Sequence, residues 1–192
     1  MVVSRRPMEA ARLAETIVAI PGELTSAALA LALHTPGVAT EPAAFDAIPA
    51  LVGSGKYEAG VLIHEGQLTY AQSGLHKVVD LGEWWAKETG GLPLPLGGNA
   101  IRRDLGEAAM ERVARILEAS IRYSLAHRDQ ALAHAMKYGR GLETQLADRF
   151  VRMYVNDRTL DYGDDGRRAV QLFLDRAAEQ GLIPKRVVVE FL

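Results

Sequence analysis

Short apolar runs alternate with helical patterns over residues 1 to about 102. The runs that we predict as strands occupy residues 2–3, 16–20, 60–64 and 76–81. Helices are predicted over residues 25–33, starting at Thr25 or Ser26, and over residues 42–52, ending at Gly53. The 60–64 run is continuous, as is typical of a strand buried in a parallel sheet. Strands that alternate with helices predict an α/β layer architecture.

From Asp104 onward the apolar positions repeat at helical spacing. Along one helix of about five turns they form a single stripe of Met110, Val113, Ile116, Leu117, Ile121 and Leu125. Further helices are predicted over 129–138, 142–154 and 164–180, with Gly139 and Gly181 as helix-ending glycines, and a last strand over 186–191. The second part of the chain is therefore predicted to be mainly helical.

Composition indicates a globular protein of one large domain or two small lobes. The chain has 192 residues, of which 48% are hydrophobic and 24% charged, and its net charge is −2. A basic excess, which supplies the affinity for nucleic acid or for anionic membranes, is missing, so we expect neither partner. The absence of cysteine excludes disulfides, zinc–thiolate sites, iron–sulfur clusters and thiol catalysis.

We expect a cytoplasmic protein without membrane insertion. No apolar run approaches the roughly 18 residues that a membrane helix needs. The alanine–leucine run 27–33 follows Glu15, Glu23 and a Pro-Gly turn, which is the wrong arrangement for a secretory signal.

Two motifs resemble known sites and fail on inspection. The segment 53–56 (Gly-Ser-Gly-Lys) lacks the Walker glycine at Ala50 and the Ser or Thr at Tyr57, so we interpret it as a helix-ending turn. The pair His64-Glu65 starts like a zinc-protease motif, but Leu68 occupies the position of the second histidine. We therefore expect no metal and no phosphate loop.

His64, Thr25 and Ser26 are the candidate site residues, each with two interpretations. His64 ends a buried strand, where open α/β sheets face their ligand crevice, so it is either a proton acceptor or a structural histidine. Thr25 and Ser26 begin a helix, so they either cap it or use its N-terminus to bind a carboxylate or hydroxyl-rich ligand. The residues alone do not choose between these interpretations.

Several segments taken together resemble the 1,4-dihydroxy-6-naphthoate synthase family. The segments are 60–65 (GVLIHE), 68–70 (LTY), 78–85 (VVDLGEWW), 91–97 (GLPLPLG), 102–106 (RRDLG), and 18–22 (VAIPG) followed by Thr25 and Ser26. Their order and spacing make the resemblance specific.

The resemblance implies a lyase of the futalosine route to menaquinone, which cleaves cyclic dehypoxanthinyl futalosine to release 1,4-dihydroxy-6-naphthoate. It implies that His64 is the proton-accepting histidine and that Ser26 and Ala27 contact the substrate, with serine here where the family has threonine. No organic cofactor is expected, since proton abstraction and aromatisation of the product can drive the reaction. A homodimer is compatible with the resemblance.

The resemblance also implies a periplasmic-binding-protein-like fold of type II, with substrate held between two lobes. Residues 1–101 then form the α/β second lobe, and residues 102–192 form the mainly helical C-terminal part of the first lobe. The family's early Ser-Pro-Cys-Pro-Asn-Asp-like loop and a later substrate-contacting serine have no counterpart here. We therefore expect an incomplete cleft and no synthase activity of this chain alone. The C-terminal helices are expected to expose an apolar face, to pair with a second copy or to loosen.

Two alternatives remain open at this point. The related chorismate dehydratase is disfavoured because the segment 63–65 and the pair Trp84-Trp85 follow the naphthoate synthase pattern. A non-catalytic ligand-binding lobe or a decayed enzyme would bind the substrate without turning it over.

Overall fold

A single mixed β-sheet organises the computed structural model, which describes residues 1–138 and 143–192. In the described residues its five strands are β1 (Val2–Ser4), β2 (Ile17–Ile20), β3 (Ala39–Pro42), β4 (Ala59–Val61) and β5 (His76–Val79). Their order is β3-β2-β4-β1-β5, with β2 parallel to both of its neighbours and β1 antiparallel to both of its own. The α/β class is confirmed, but the sheet is mixed because β1 runs against the other strands.

Helices connect and cover the strands. They are α1 (Ser26–His34), α2 (Ile48–Ser54), α3 (Gly66–Thr69), α4 (Leu81–Thr89), α5 (Glu107–Ala126), α6 (Arg128–Ala135), α7 (Thr144–Tyr154), α8 (Asp157–Leu160) and α9 (Gly163–Glu179). Short 3₁₀ turns cover Ala10–Glu15, Tyr70–Ser73 and Arg103–Leu105. The C-terminal part is therefore helical as predicted, while Gly139 and the first residue of the predicted 142–154 helix lie outside the described residues.

The sheet buries a separate apolar cluster on each face, because successive side chains of a strand point to opposite sides. One cluster joins Val2, Val18, Ile20 and Val61 to Leu31 of α1, and extends to Trp85 and Phe173. The other joins Val3, Ala19 and Leu62 to Ile48 and Val52 of α2. The strands thus lie between α1 on one side and α2 on the other.

Trp85 attaches the last long helix to the sheet. It is fully buried, and its indole Nε1 donates a hydrogen bond to the Pro93 carbonyl at 3.0 Å. Its ring meets the ring of Phe173 edge-on at 5.3 Å, and the Arg176 guanidinium lies 5.1 Å from its centre. Helix α9 is therefore packed against the sheet layer, and its Ala177 is fully buried. This differs from the exposed apolar face that was expected on the C-terminal helices.

Helix α5 does expose the predicted stripe. None of its residues is buried, and Val113 and Ile116 are 47% and 59% exposed. An amphipathic helix gains most of its stability from packing its apolar face. The described part of the chain leaves the middle of that face (Val113, Ile116 and Leu117) open to solvent, while Met110, Ile121 and Leu125 are half-buried.

The predicted 42–52 helix is wrong in its first half. Residues Ala39–Pro42 form β3, which pairs with β2 at the edge of the sheet, and the helix starts only at Ile48. All four β3 residues are exposed, so backbone pairing rather than an apolar pattern defines this strand. The helix ends at Ser54 and not at Gly53, and Gly55, which follows it, adopts a left-handed φ of 83°. Segment 53–56 is a helix end, as interpreted.

Three predicted strands also differ. The 60–64 strand ends at Val61, so His64 lies three residues beyond the strand and does not end it. The 76–81 strand stops at Val79 because the Asp80 carboxylate accepts hydrogen bonds from Gly82 N and Glu83 N and so starts α4. The predicted 186–191 strand is wrong, because this segment has no regular structure. The Gln171 side chain instead donates to Val187 O at 2.8 Å and accepts from Val189 N at 3.0 Å.

Within the described ranges, no helix combines the length and apolar character needed to cross a membrane.

Helix α2 packs closely over Gly60 of β4, which generates the first prediction. A Cβ at this position would lie 2.5 Å from Ile48 Cγ2 and 2.9 Å from Val52 Cγ2. We expect Gly60→Ala to lower the unfolding free energy by about 1–3 kcal/mol, or about 2–4 °C of Tm for each kcal/mol.

The matched control is Gly53→Ala in α2, where an added Cβ meets nothing within 4 Å. Alanine is the better helix former, so this variant should be neutral or slightly stabilising. Denaturant and thermal unfolding measure both variants, and an unchanged Gly60→Ala would contradict the packing described.

Candidate functional site

The carboxyl ends of neighbouring parallel strands bring the candidate residues to one edge of the sheet. β2 and β4 pair in parallel through Val18–Ala59 and Ala19–Gly60. His64 follows the end of β4 by three residues, and Ser26 follows the end of β2 after a turn. In an open α/β sheet this edge is where ligands bind.

The chain's first residue lies at the same edge because β1 is antiparallel. The Met1 amine donates a hydrogen bond to the Leu62 carbonyl at 3.1 Å. Burial lowers the pKa of this amine, and the carboxylate of Asp80 partly opposes that shift.

His64 has a confined imidazole with one nitrogen left unpaired. Its Nδ1 is buried and has no hydrogen-bond partner among the described residues. The Phe45 ring meets the imidazole edge-on at 5.7 Å, and a Cβ on Gly66 would lie 2.6 Å from the imidazole Cε1. Leaving a buried polar nitrogen without a partner costs about 1–3 kcal/mol, so the position of His64 is one where a ligand's hydrogen bond would add stability.

Thr25 is the N-cap of α1, as one interpretation predicted. Its hydroxyl oxygen accepts from Ala28 N at 3.1 Å and its proton is donated to the Gly22 carbonyl at 2.8 Å. The bond from Ala28 N defines the cap, and the hydroxyl's own proton is also satisfied within the chain.

Ser26 and Ala27 form the first turn of α1. The Ser26 hydroxyl donates to the Leu96 carbonyl at 2.5 Å, and Ala27 is half-buried against the first apolar cluster. Backbone N–H groups in the first turn have no partner inside the helix, and the helix dipole favours a negative or oxygen-rich ligand there.

A cavity of about 550 Å³ adjoins Thr25 and Ser26. It lies between α1 and α9 and is lined mainly by apolar residues, with Glu23 as its charged side chain. His64 does not line this cavity. The structure therefore brings Thr25 and Ser26 together on one cavity and places His64 elsewhere along the same edge.

Tyr154 contacts the His64 segment and was missed by the sequence analysis. Its hydroxyl donates to the Ile63 carbonyl at 2.7 Å and accepts from Gln67 Nε2 at 3.1 Å. Burial raises the pKa of the Tyr154 hydroxyl, and the Gln67 hydrogen bond opposes this. The contact joins residues about ninety positions apart, so no local pattern could have found it.

Metal ligands do not cluster at this edge. Over residues 1–138 and 143–192, no group of three or more His, Asp or Glu side chains is arranged to hold a metal ion.

Comparisons with known proteins define the class of the chain. A family model described as "Menaquinone biosynthesis" matches residues 1–179. The chain is 40% identical over 182 residues to a 1,4-dihydroxy-6-naphthoate synthase of Thermus thermophilus, covering 95% of this chain and 66% of that protein. It is 38% identical over 173 residues to the enzyme of the same name from Streptomyces coelicolor, covering 87% of this chain and 61% of that protein.

A solved structure shares the fold. The crystal structure of a protein from Archaeoglobus fulgidus superposes with a TM-score of 0.88 at 40% identity, covering 95% of this chain and 67% of the other. The chain therefore belongs to the menaquinone biosynthesis family, which confirms the resemblance seen in the sequence. It spans about two thirds of the length of these relatives.

Gly66 allows the imidazole to occupy its position, which generates the second prediction. Gly66→Ala should displace the His64 ring, because the new Cβ would overlap Cε1, while the fold remains intact since a side-chain end can move. Histidine-selective NMR should show a shifted His64 signal. Gly97→Ala is the control, because a Cβ there meets nothing within 4 Å. An unmoved His64 signal in a folded Gly66→Ala protein would refute the close contact.

Proposed function

We propose that this chain supplies the proton-accepting part of a 1,4-dihydroxy-6-naphthoate synthase active site. The reaction is the cleavage of cyclic dehypoxanthinyl futalosine, which releases 1,4-dihydroxy-6-naphthoate in the futalosine route to menaquinone. The observation that carries the proposal is the unpaired, buried Nδ1 of His64 at the carboxyl edge of the sheet. The reaction is inferred from the two relatives named 1,4-dihydroxy-6-naphthoate synthase, which are 38% and 40% identical to this chain.

His64 acts in this proposal as the general base. An imidazole exchanges protons near neutral pH, and a positioned base accelerates a reaction by about 10²–10⁴-fold. Its ring takes a proton from substrate carbon, and the electron pair of that C–H bond forms a double bond of the new aromatic system. The bond to the sugar-derived part breaks with its electron pair leaving on that part, which takes a proton back from the imidazolium. Aromatisation of the product supplies the driving force, so the step needs no organic cofactor.

The first turn of α1 is proposed to hold the substrate. The backbone N–H groups of Ser26 and Ala27 offer donors to the hydroxyl-rich part of the substrate. The Ser26 oxygen offers an acceptor, because its own proton is donated to the Leu96 carbonyl. Thr25 contributes by fixing the helix start through its cap rather than by a free hydroxyl. In this proposal the N-terminus of α1 binds the substrate, and His64 accepts the proton.

We further propose a two-lobed, periplasmic-binding-protein-like arrangement of type II. Residues 1–101 would be the second lobe and residues 102–192 the helical C-terminal part of the first lobe. The uncovered apolar face of α5 and the coverage of about two thirds of the relatives support this division. The cytoplasmic location and the homodimer stay predictions.

A turnover assay tests the function, which is the third prediction. The 192-residue chain is assayed with cyclic dehypoxanthinyl futalosine, alone and fused to the first-lobe segment of the Thermus thermophilus relative, and naphthoate release is followed by absorbance. We expect release by the fusion and none by the chain alone. Binding without turnover in both forms would contradict the proposed function. Turnover by the chain alone would keep the function and overturn the lobe division.

His64→Asn extends the same assay. In whichever form is active, turnover should fall by about 10²–10⁴-fold, because the base is lost while the fold is kept. His76→Asn is the matched control, since His76 is an exposed residue of β5. Near-normal turnover of His64→Asn would remove His64 from the mechanism.

A further inference from the structure

The Tyr154 hydroxyl is the centre of a small hydrogen-bond network around His64. It donates to the carbonyl of Ile63, which directly precedes His64, and it accepts from the side-chain amide of Gln67, three residues after His64. One hydroxyl thus ties both ends of the 63–67 segment to α7. The distances of 2.7 Å and 3.1 Å are those of well-formed hydrogen bonds.

The 63–67 segment has little structure of its own to fix it. Helix α3 contains a single turn, Gly66–Thr69, with no buried residue and no side-chain cap at Glu65. Its local backbone bonds include Gln67 N to His64 O at 2.9 Å, Leu68 N to Glu65 O at 2.8 Å and Tyr70 N to Gly66 O. One isolated helical turn is not stable in water, so the position of this segment depends on contacts from elsewhere in the fold.

The close approach of Gly66 to the imidazole makes the orientation of His64 depend more strongly on those distant contacts. The imidazole passes so close to the Gly66 backbone that a small movement of the segment changes the place available to the ring. The Phe45 ring limits it from another direction. The orientation of His64 is therefore sensitive to where the Ile63 carbonyl and the Gln67 side chain are held.

We propose that Tyr154 is a positioning residue for His64, and that its hydroxyl fixes the 63–67 segment so that the imidazole keeps its orientation at the edge of the sheet. The catalytic consequence of this rests on the proposed function, whereas the positioning itself does not. The C-terminal helices then help to build the site, although they follow it by about ninety residues.

The hydroxyl can be removed without removing the ring. The Tyr154 ring packs against Phe150 of the same helix at 4.9 Å, and Tyr154→Phe keeps that contact. The variant leaves the Ile63 carbonyl and the Gln67 amide without their shared partner. It therefore separates positioning from packing.

The test compares the 192-residue chain with Tyr154→Phe in two ways that need no substrate. Histidine-selective NMR should show a broadened or doubled His64 Cε1–H signal in the variant. Carbethoxylation of His64 by diethyl pyrocarbonate, followed by mass spectrometry, should be several-fold faster. In the active form, kcat should fall by about ten- to hundredfold with KM within about twofold, because misplacement affects the reacting step more than binding.

Tyr138→Phe is the matched control, because it also removes a hydroxyl from the C-terminal part of the chain, but Tyr138 lies in the turn after α6 and is 76% exposed. It should change none of these readouts. Gln67→Ala removes the hydrogen bond from Gln67 to Tyr154 while leaving Tyr154 in place. It should change the His64 signal and modification rate in the same direction by a smaller amount. If Tyr154→Phe fails to fold, this variant tests the inference in its place.

Unchanged His64 signals and modification rates in folded Tyr154→Phe would overturn the inference. If the unmodified protein and its fusion turn over no substrate, the proposed function fails, while the NMR and modification results still decide the positioning. A perturbed His64 with unchanged kcat would overturn the catalytic consequence.

Discussion

The parallel pairing of β2 with β4 is the constraint on which the candidate site depends. Its register, Val18 with Ala59 and Ala19 with Gly60, sets where each strand ends, and so where His64 and the start of α1 lie along the edge. A shift by one residue would exchange the two faces of a strand and bury the wrong side chains. Gly60 also supports this pairing, because the absence of a side chain lets α2 pack closely against β4.

The C-terminal helices are joined to this sheet at two places with different roles. Phe173 packs on Trp85 and gives α9 a buried apolar contact, which is the kind of interaction that supplies stability. Tyr154 makes a polar contact with the His64 segment, which fixes geometry more than it adds free energy. Helix α5 has no fully buried residue, and the middle of its apolar face, at Val113 and Ile116, is exposed.

The features that local sequence signals define were predicted from the sequence, and those that depend on distant partners were not. Strands β1 and β2, helix α1 with its Thr25 cap, and the edge position of His64 follow from apolar runs and capping residues. Strand β3 was missed because its exposed residues pair only through the backbone. The 186–191 run carries strand-forming residues, but its backbone bonds to the Gln171 side chain instead of a strand.

The most direct measurement of the central claim is amide and imidazole chemical-shift mapping of the chain titrated with 1,4-dihydroxy-6-naphthoate, the proposed product. If the carboxyl edge is the ligand site, the largest changes fall on the Ser26 and Ala27 amides and on the His64 ring, and weaken toward the far end of the strands. Changes centred instead on the opposite edge, around Arg5, Arg12 and Tyr57, which line a separate cavity there, would contradict the account.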